Sequence, residues 1–178
     1  MKFDKEELKQ RVCKSLRPHL ESAVGYNVLM LERACESPIE VALGAAILVA
    51  DQLEHENMRN GFLLCGATEM EHYRADLALM IPQFPFDGYR IDFALRLPRY
   101  RFQYLLIECD GHDFHERTKE QAARDRSKDR YAQHNGYPIL RFTGSEIHRD
   151  AGDCASQVLG FITDRYNDYD PKGFHGQD

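Results

Sequence analysis

The chain has 178 residues, 43% of them hydrophobic and 29% charged, with a formal net charge of −6; that suits one domain with an added arm and an ordinary globular composition. No stretch approaches the ~18 consecutive apolar residues of a membrane span, and the charged start MKFDKEELKQ lacks the apolar segment of a secretion signal. The acidic total speaks against nucleic acid, but residues 90–141 hold eleven Lys/Arg against eight Asp/Glu, about +3, which leaves about −9 on the flanks. A binder of phosphate backbones needs only a local basic surface.

Along the chain, Phe3, Leu8, Val12, Leu16 and Leu20 recur near helical spacing, which predicts a helix over 3–24 closed by Gly25. A second helix is predicted from Ser37, a good N-cap, with Pro38 at its first position and Glu40 three residues after the cap. It runs almost wholly apolar through Val49 and ends near Asn60-Gly61. Three strands follow: 77–83, then after a PFDG turn 89–97, then 102–110. In the middle strand Tyr89, Ile91, Phe93, Leu95 and Leu97 alternate strictly with Arg90, Asp92, Ala94 and Arg96, so the two sets should face opposite ways. A helix over 116–134 stops at Asn135-Gly136, a fourth strand covers 137–142, and a last helix spans roughly 144–166 before a polar tail. The expected organisation is a helical extension at 1–36, a domain at 37–166 and a tail at 167–178.

The stretch IECDGHDFH, 107–115, raises the chemical question: a strand ends in a cluster of metal-capable and proton-capable side chains. Its period of two puts Glu108 and Asp110 on one face. Asp92, on the preceding strand, is either a solvated acid paired with Arg90 or Arg96, or the third member of a converging set. Three carboxylates close together repel unless a cation neutralises them or one keeps its proton. All-oxygen ligands select a hard ion, Mg²⁺ or Mn²⁺. Glu40 reads either as a capping-box partner of Ser37 or as a member of the site. His115 suits a positioned acid or base, or is a helix-entry histidine. Arg117, Arg124 and Lys128 share one face of the 116–134 helix; for most of its cations the plain reading is a solvated face with Asp125 and Asp129 as partners. The five cysteines form no CxxC pair, which argues against a zinc ribbon and a disulfide framework and for a reducing cytoplasm.

Taken in order, SPIE at 37–40, PQFPFDGYRIDFAL at 82–95, IECDGHDFH at 107–115, RDRSKD at 124–129 and GYPILRFTGSEI at 136–147 resemble the PD-(D/E)xK nuclease superfamily. Within it they are similar to the small proteins related to the very-short-patch repair endonuclease. The resemblance implies a restriction-endonuclease-like α/β fold: an αβββαβ core with a mixed four-stranded central sheet flanked by helices, plus the N-terminal helical extension. It implies a divalent-metal-dependent endonuclease that hydrolyses DNA phosphodiester bonds, with Mg²⁺ or Mn²⁺ as cofactor and DNA as partner. Asp92 and Glu108 would be the motif's two acids and the Cys109 backbone carbonyl a further ligand, with Asp110 an outer ligand. His115 would be the general acid or base, Glu40 an accessory acid, and Arg117, Arg124 and Lys128 contacts to nucleic acid. The motif's lysine position is occupied by Asp110, so the cation would have to come from Lys128 or Arg124. The alternatives are a non-catalytic module that binds nucleic acid or protein on the same fold, and a metal hydrolase acting on other phosphoesters. No structural zinc is expected.

Overall fold

A computed structural model describes residues 5–54, 61–98, 100–111 and 119–165. The first helix, α1 (Lys5–Leu31), runs through both Pro18 and Gly25. Gly25 does not end it because a glycine in helical backbone costs only ~1 kcal/mol; it stops a helix when it turns left-handed. Of the apolar residues at helical spacing, Val12, Leu16 and Leu20 are solvent-facing, at 47%, 50% and 37% exposed, while the last turns bury Asn27 and Leu31. Helix α2 (Pro38–Glu54) starts where the proline and the capping spacing put it. It is described as far as Glu54, and the end expected near Asn60-Gly61 falls at residues 55–60, which lie outside the described part.

Five strands follow the order β1-β2-β3-β4-β5 in one mixed sheet. They are β1 (Leu63–Leu64), β2 (Leu79–Phe86), β3 (Tyr89–Arg96), β4 (Tyr104–Asp110) and β5 (Ile139–Thr143). The expected four-stranded sheet is therefore corrected by β1, a two-residue parallel edge too short to show a period in the sequence. Strands β2, β3 and β4 form an antiparallel meander, and β5 returns parallel to β4 through α3 (Lys119–His134). Helix α4 (Gly144–Asp164) is closed at its start by a capping box between Thr143 and Glu146.

The first long strand runs three residues beyond the predicted end, past Pro85. β1 pairs with β2 only at Leu79 and Met80, so Pro82 and Pro85 lie where the outer edge of β2 has no ladder to feed. The turn is the two-residue Asp87-Gly88, with φ of +47° and +75°, the left-handed pair that suits the twist of a hairpin.

The strict alternation expected of β3 breaks at Asp92. Phe93, Leu95 and Leu97 join a core built with α2 and α4, where Leu43, Ile47, Val158 and Leu159 also pack. Ile91, of the same parity, joins the opposite core with Phe84, Phe86, Leu106 and Ala132 of α3. Across the ladder Gln83 has a φ of +51°, and the same exchange of faces occurs on β2, where Ile81 and Phe84 both lie on the α3 side. Both strands thus swap faces at one level of the sheet, between the pairs Pro82↔Phe93 and Phe84↔Ile91.

Helix α2 sits close on the sheet because Gly44 has no side chain: a Cβ there would meet Phe93 at 2.9 Å and Leu31 at 3.0 Å. Gly44→Ala should lower the melting temperature, with an overpacking cost of about 1–3 kcal/mol. Gly25→Ala, whose Cβ would meet nothing within 4 Å, should instead gain roughly 0.5–1 kcal/mol. Thermal melts of the two variants check both the close approach and the continuity of α1.

Candidate active site

The pairing of β3 with β4 runs from Arg96↔Tyr104 to Phe93↔Ile107. One step further, Asp92 Oδ2 accepts the backbone N–H of Cys109 at 2.6 Å. A side chain has taken the place of a ladder acceptor. The surface-pair alternative for Asp92 is not what forms: Arg90 pairs with Glu36. Arg96 donates to the carbonyls of Arg74 at 2.7 Å and Leu77 at 3.2 Å.

Glu108 and Asp110 share the face of β4 that carries Leu106 towards α3, and both are buried. Lys128 Nζ lies 2.7 Å from Glu108 Oε1, with side-chain exposures of 10% and 9%. Helical spacing brings it there, since Tyr131 and Ala132, three and four residues on, pack against the same sheet face. Arg141 completes the group. It stands beside Glu108 in the β4–β5 register, 3.9 Å from Glu108 and 3.7 Å from Asp110, and it donates to Asp129 at 2.5 Å. Asp129 is therefore answered by a strand arginine rather than by a neighbour on its own helix. Arg124 does not join the acids: it is exposed, donates to the Gly88 carbonyl at 3.4 Å and lies 5.7 Å from the Tyr89 ring centroid.

Glu40 performs its capping role in modified form and also reaches the sheet. Its Oε1 accepts the Ser37 hydroxyl at 2.6 Å; its Oε2 accepts the Glu36 N–H at 2.9 Å and Gln83 Nε2 at 2.7 Å. Its charge is felt at Asp92, together with that of Glu108.

These neighbours set the proton affinities. Burial, chiefly, and the charges of Glu108 and Glu40 push the Asp92 carboxyl up to about 7, against the pull of the Cys109 N–H and of Lys128. Burial also raises Glu108, opposed by Lys128 and Arg141. Burial and the charges of Glu40 and Asp92 push the Cys35 thiol up to about 12, and burial with the same acids raises Cys109, so neither thiol is a thiolate nucleophile near neutral pH. Both ways of relieving crowded carboxylates are in use: a cation sits on one acid, and another holds its proton into the neutral range.

His115 and Arg117 lie outside the described residues. Among the described residues, no group of three or more His, Cys, Asp or Glu is gathered to hold a metal ion. Mg²⁺ needs less than that, since one or two carboxylates and several waters form its usual set. One oxygen of Asp92 and one of Glu108 accept no hydrogen bond from the described residues, so the donor chemistry fits a hard divalent ion. Sequence reasoning missed Gln83 and Arg141. A lone arginine in the apolar strand ILRFT, parallel to a strand carrying two buried acids, was the available signal for Arg141. Nothing local signals Gln83.

A mixed sheet flanked by helices, with acids where the pairing of two central strands stops, is compatible with a restriction-endonuclease-like fold. A restriction-endonuclease-like family model, REase_MTES_1575, matches residues 71–162, just over half of the chain, and the chain belongs to that family. The match contains Gln83, Asp92, Glu108, Asp110, Lys128 and Arg141, whereas Glu40 precedes it. No curated protein and no solved structure matches the chain. No helix among the described residues is long and apolar enough to cross a membrane.

The two principal acids should respond oppositely to neutralisation. Asp92, near 3.8 when unfolded and about 7 when folded, binds its proton more tightly in the native state. Its contribution is therefore present below about pH 4 and lost as pH rises to about 7. Asp92→Asn should melt higher than the parent at pH 8, by a few kcal/mol at most, and match it at pH 4. Glu108→Gln strands the buried Lys128 ammonium and should cost roughly 3–5 kcal/mol. Adding Lys128→Met should restore much of that loss. Melts at the two pH values check both expectations.

Proposed function

We propose that this chain is a divalent-metal-dependent DNA endonuclease, using Mg²⁺ or Mn²⁺. The observation that carries the reading is the buried Lys128–Glu108 contact beside Asp92, in a chain of a restriction-endonuclease-like family. Families of this kind generally use divalent metals. Asp92 and Glu108 would hold the ion through one oxygen each, with the Cys109 carbonyl as a third donor and Asp110 outside them. The bound ion would supply charge neutralisation at the phosphate and lower the pKa of a water. Lys128 supplies the cation that the motif's lysine position, occupied by Asp110, does not provide; it would stabilise the charge that develops on the scissile phosphate. Arg141 balances Asp110 and Glu108, so that Lys128 is not their sole counter-ion. Arg124, exposed on α3 beside the β2–β3 turn, is suited to contact a backbone phosphate, and Arg117 would extend that contact. His115 would move the proton of the attacking or leaving oxygen. The closer kinship with the very-short-patch repair endonucleases rests on the order of the motifs.

A non-catalytic binding module is the second reading, favoured by Asp110 at the motif's lysine position.

Supercoiled plasmid separates the two. The endonuclease nicks it with Mg²⁺, does nothing in EDTA, and loses the activity in Asp92→Asn. Because a ligand acid must shed its proton to bind metal, cleavage should climb with pH to about 7, the range to which Asp92 is raised. Lys128→Ala should lower turnover at least ~tenfold, about 1.4 kcal/mol in barrier, with little change in DNA retention. Salt-sensitive retention without nicking by the parent protein favours the binding module. Undiminished nicking by Asp92→Asn removes Asp92 from the site.

A further inference from the structure

Gln83 is held in a way that ordinary strand packing does not require. Its φ of +51° is uncommon for a residue with a Cβ, and such strain tends to persist where function demands it. Its side-chain Nε2 donates to Glu40 Oε2 at 2.7 Å, linking β2 to the first turn of α2. The same amide's Oε1 is buried and has no hydrogen-bond partner. An unsatisfied buried acceptor costs ~1–3 kcal/mol, so this residue carries two penalties at once. Turning the amide over would not remove the second one, because Oε1 would then oppose the Glu40 carboxylate. Gln83 also faces Asp92 across the ladder, between the pairs Pro82↔Phe93 and Phe84↔Ile91.

Glu40 is correspondingly well held. Three donors, from Ser37, Glu36 and Gln83, converge on its two oxygens. A carboxylate so occupied is a poor direct ligand and a good fixed charge. Of the three, Gln83 comes from the sheet, whereas Glu36 and Ser37 immediately precede α2.

We infer that Gln83 is a positioning residue that clamps Glu40 beside Asp92, making Glu40 an outer carboxylate that strengthens divalent-ion binding through space. This rests on the metal site proposed above. The strained backbone turns the side chain from β2 towards α2. The lost hydrogen bond at Oε1 is the cost of aiming Nε2 at the acid. Gln83 and Glu40 then act as one unit: removing either loses the same fixed negative charge from its place.

The test is calorimetric titration of the purified chain with Mn²⁺ alone, alongside thermal melts. Gln83→Gly keeps a backbone that tolerates positive φ and removes the clamp. It should melt no lower than the parent yet bind Mn²⁺ at least ~fivefold more weakly. Gln83→Asn, which also tolerates positive φ but has a shorter reach, should behave alike and guards against a folding defect in the glycine variant. Glu40→Gln should weaken Mn²⁺ similarly, and the double variant Glu40→Gln/Gln83→Gly should be no weaker than the poorer single one, as expected of coupled residues. Parent-like Mn²⁺ affinity in both Gln83 variants overturns the clamp while leaving the metal site standing. So do losses that multiply in the double variant. If the parent chain binds no Mn²⁺, the metal site fails and the clamp fails with it.

Discussion

A backbone N–H that should have gone to a neighbouring strand goes instead to a side chain. Where Asp92 accepts the Cys109 N–H, the β3–β4 ladder ends. A carboxylate can do this only if it is drawn in among the strands, which is what desolvates it. The same contact leaves Glu108 just past the last β3–β4 pair, where α3 can bring Lys128 to it and β5 can bring Arg141. Remove the Asp92–Cys109 bond and the ladder could continue. The acids would then be spread along an ordinary sheet edge rather than gathered at a split.

The energetic character of the site follows from how the buried charges are answered. Glu108 has a lysine at hydrogen-bonding distance, and breaking such a pair costs more than never having had it. Asp92 is buried, has a backbone donor as its one hydrogen-bond partner among the described residues, and lies near two other acids, so its ionised form is poorly tolerated. A divalent ion would reverse that preference at Asp92. The native state is thus less stable at neutral pH than its packing alone would make it, with Asp92 and, opposed by its cations, Glu108 as the buried acids concerned.

Much of this was legible in the sequence because strands and helices have fixed periods. The period of two in IECD sets Glu108 and Asp110 on one face, and the 3.6 period of RDRSKDRYAQ carries Lys128 to the sheet. Ser37, Pro38, Asn135 and Gly136 marked the helix ends for reasons of backbone chemistry. What was not legible depends on contacts between distant segments. The left-handed Gln83 has no local signal, because glutamine has no special tolerance for that backbone. Its effect, the exchange of faces at Ile91, spoils an alternation that looks perfect on paper. The apolar residues of α1 kept helical spacing and so marked a helix, but spacing states which residues share a face and not whether anything covers it.

That uncovered helix bears on how the chain breathes. Every described side chain of α1 from residue 9 to residue 22 is exposed, so this shaft is held by its own hydrogen bonds and by its attachment at Leu31. Helical segments of that length are marginal in water without tertiary support. Local opening there need not disturb the cores on either side of the sheet, and the energy of each opening should fall with distance from Leu31. In hydrogen exchange the amides of α1 would therefore lose protection progressively towards the amino end, while those of α2, packed on Phe93, would open only with the whole domain.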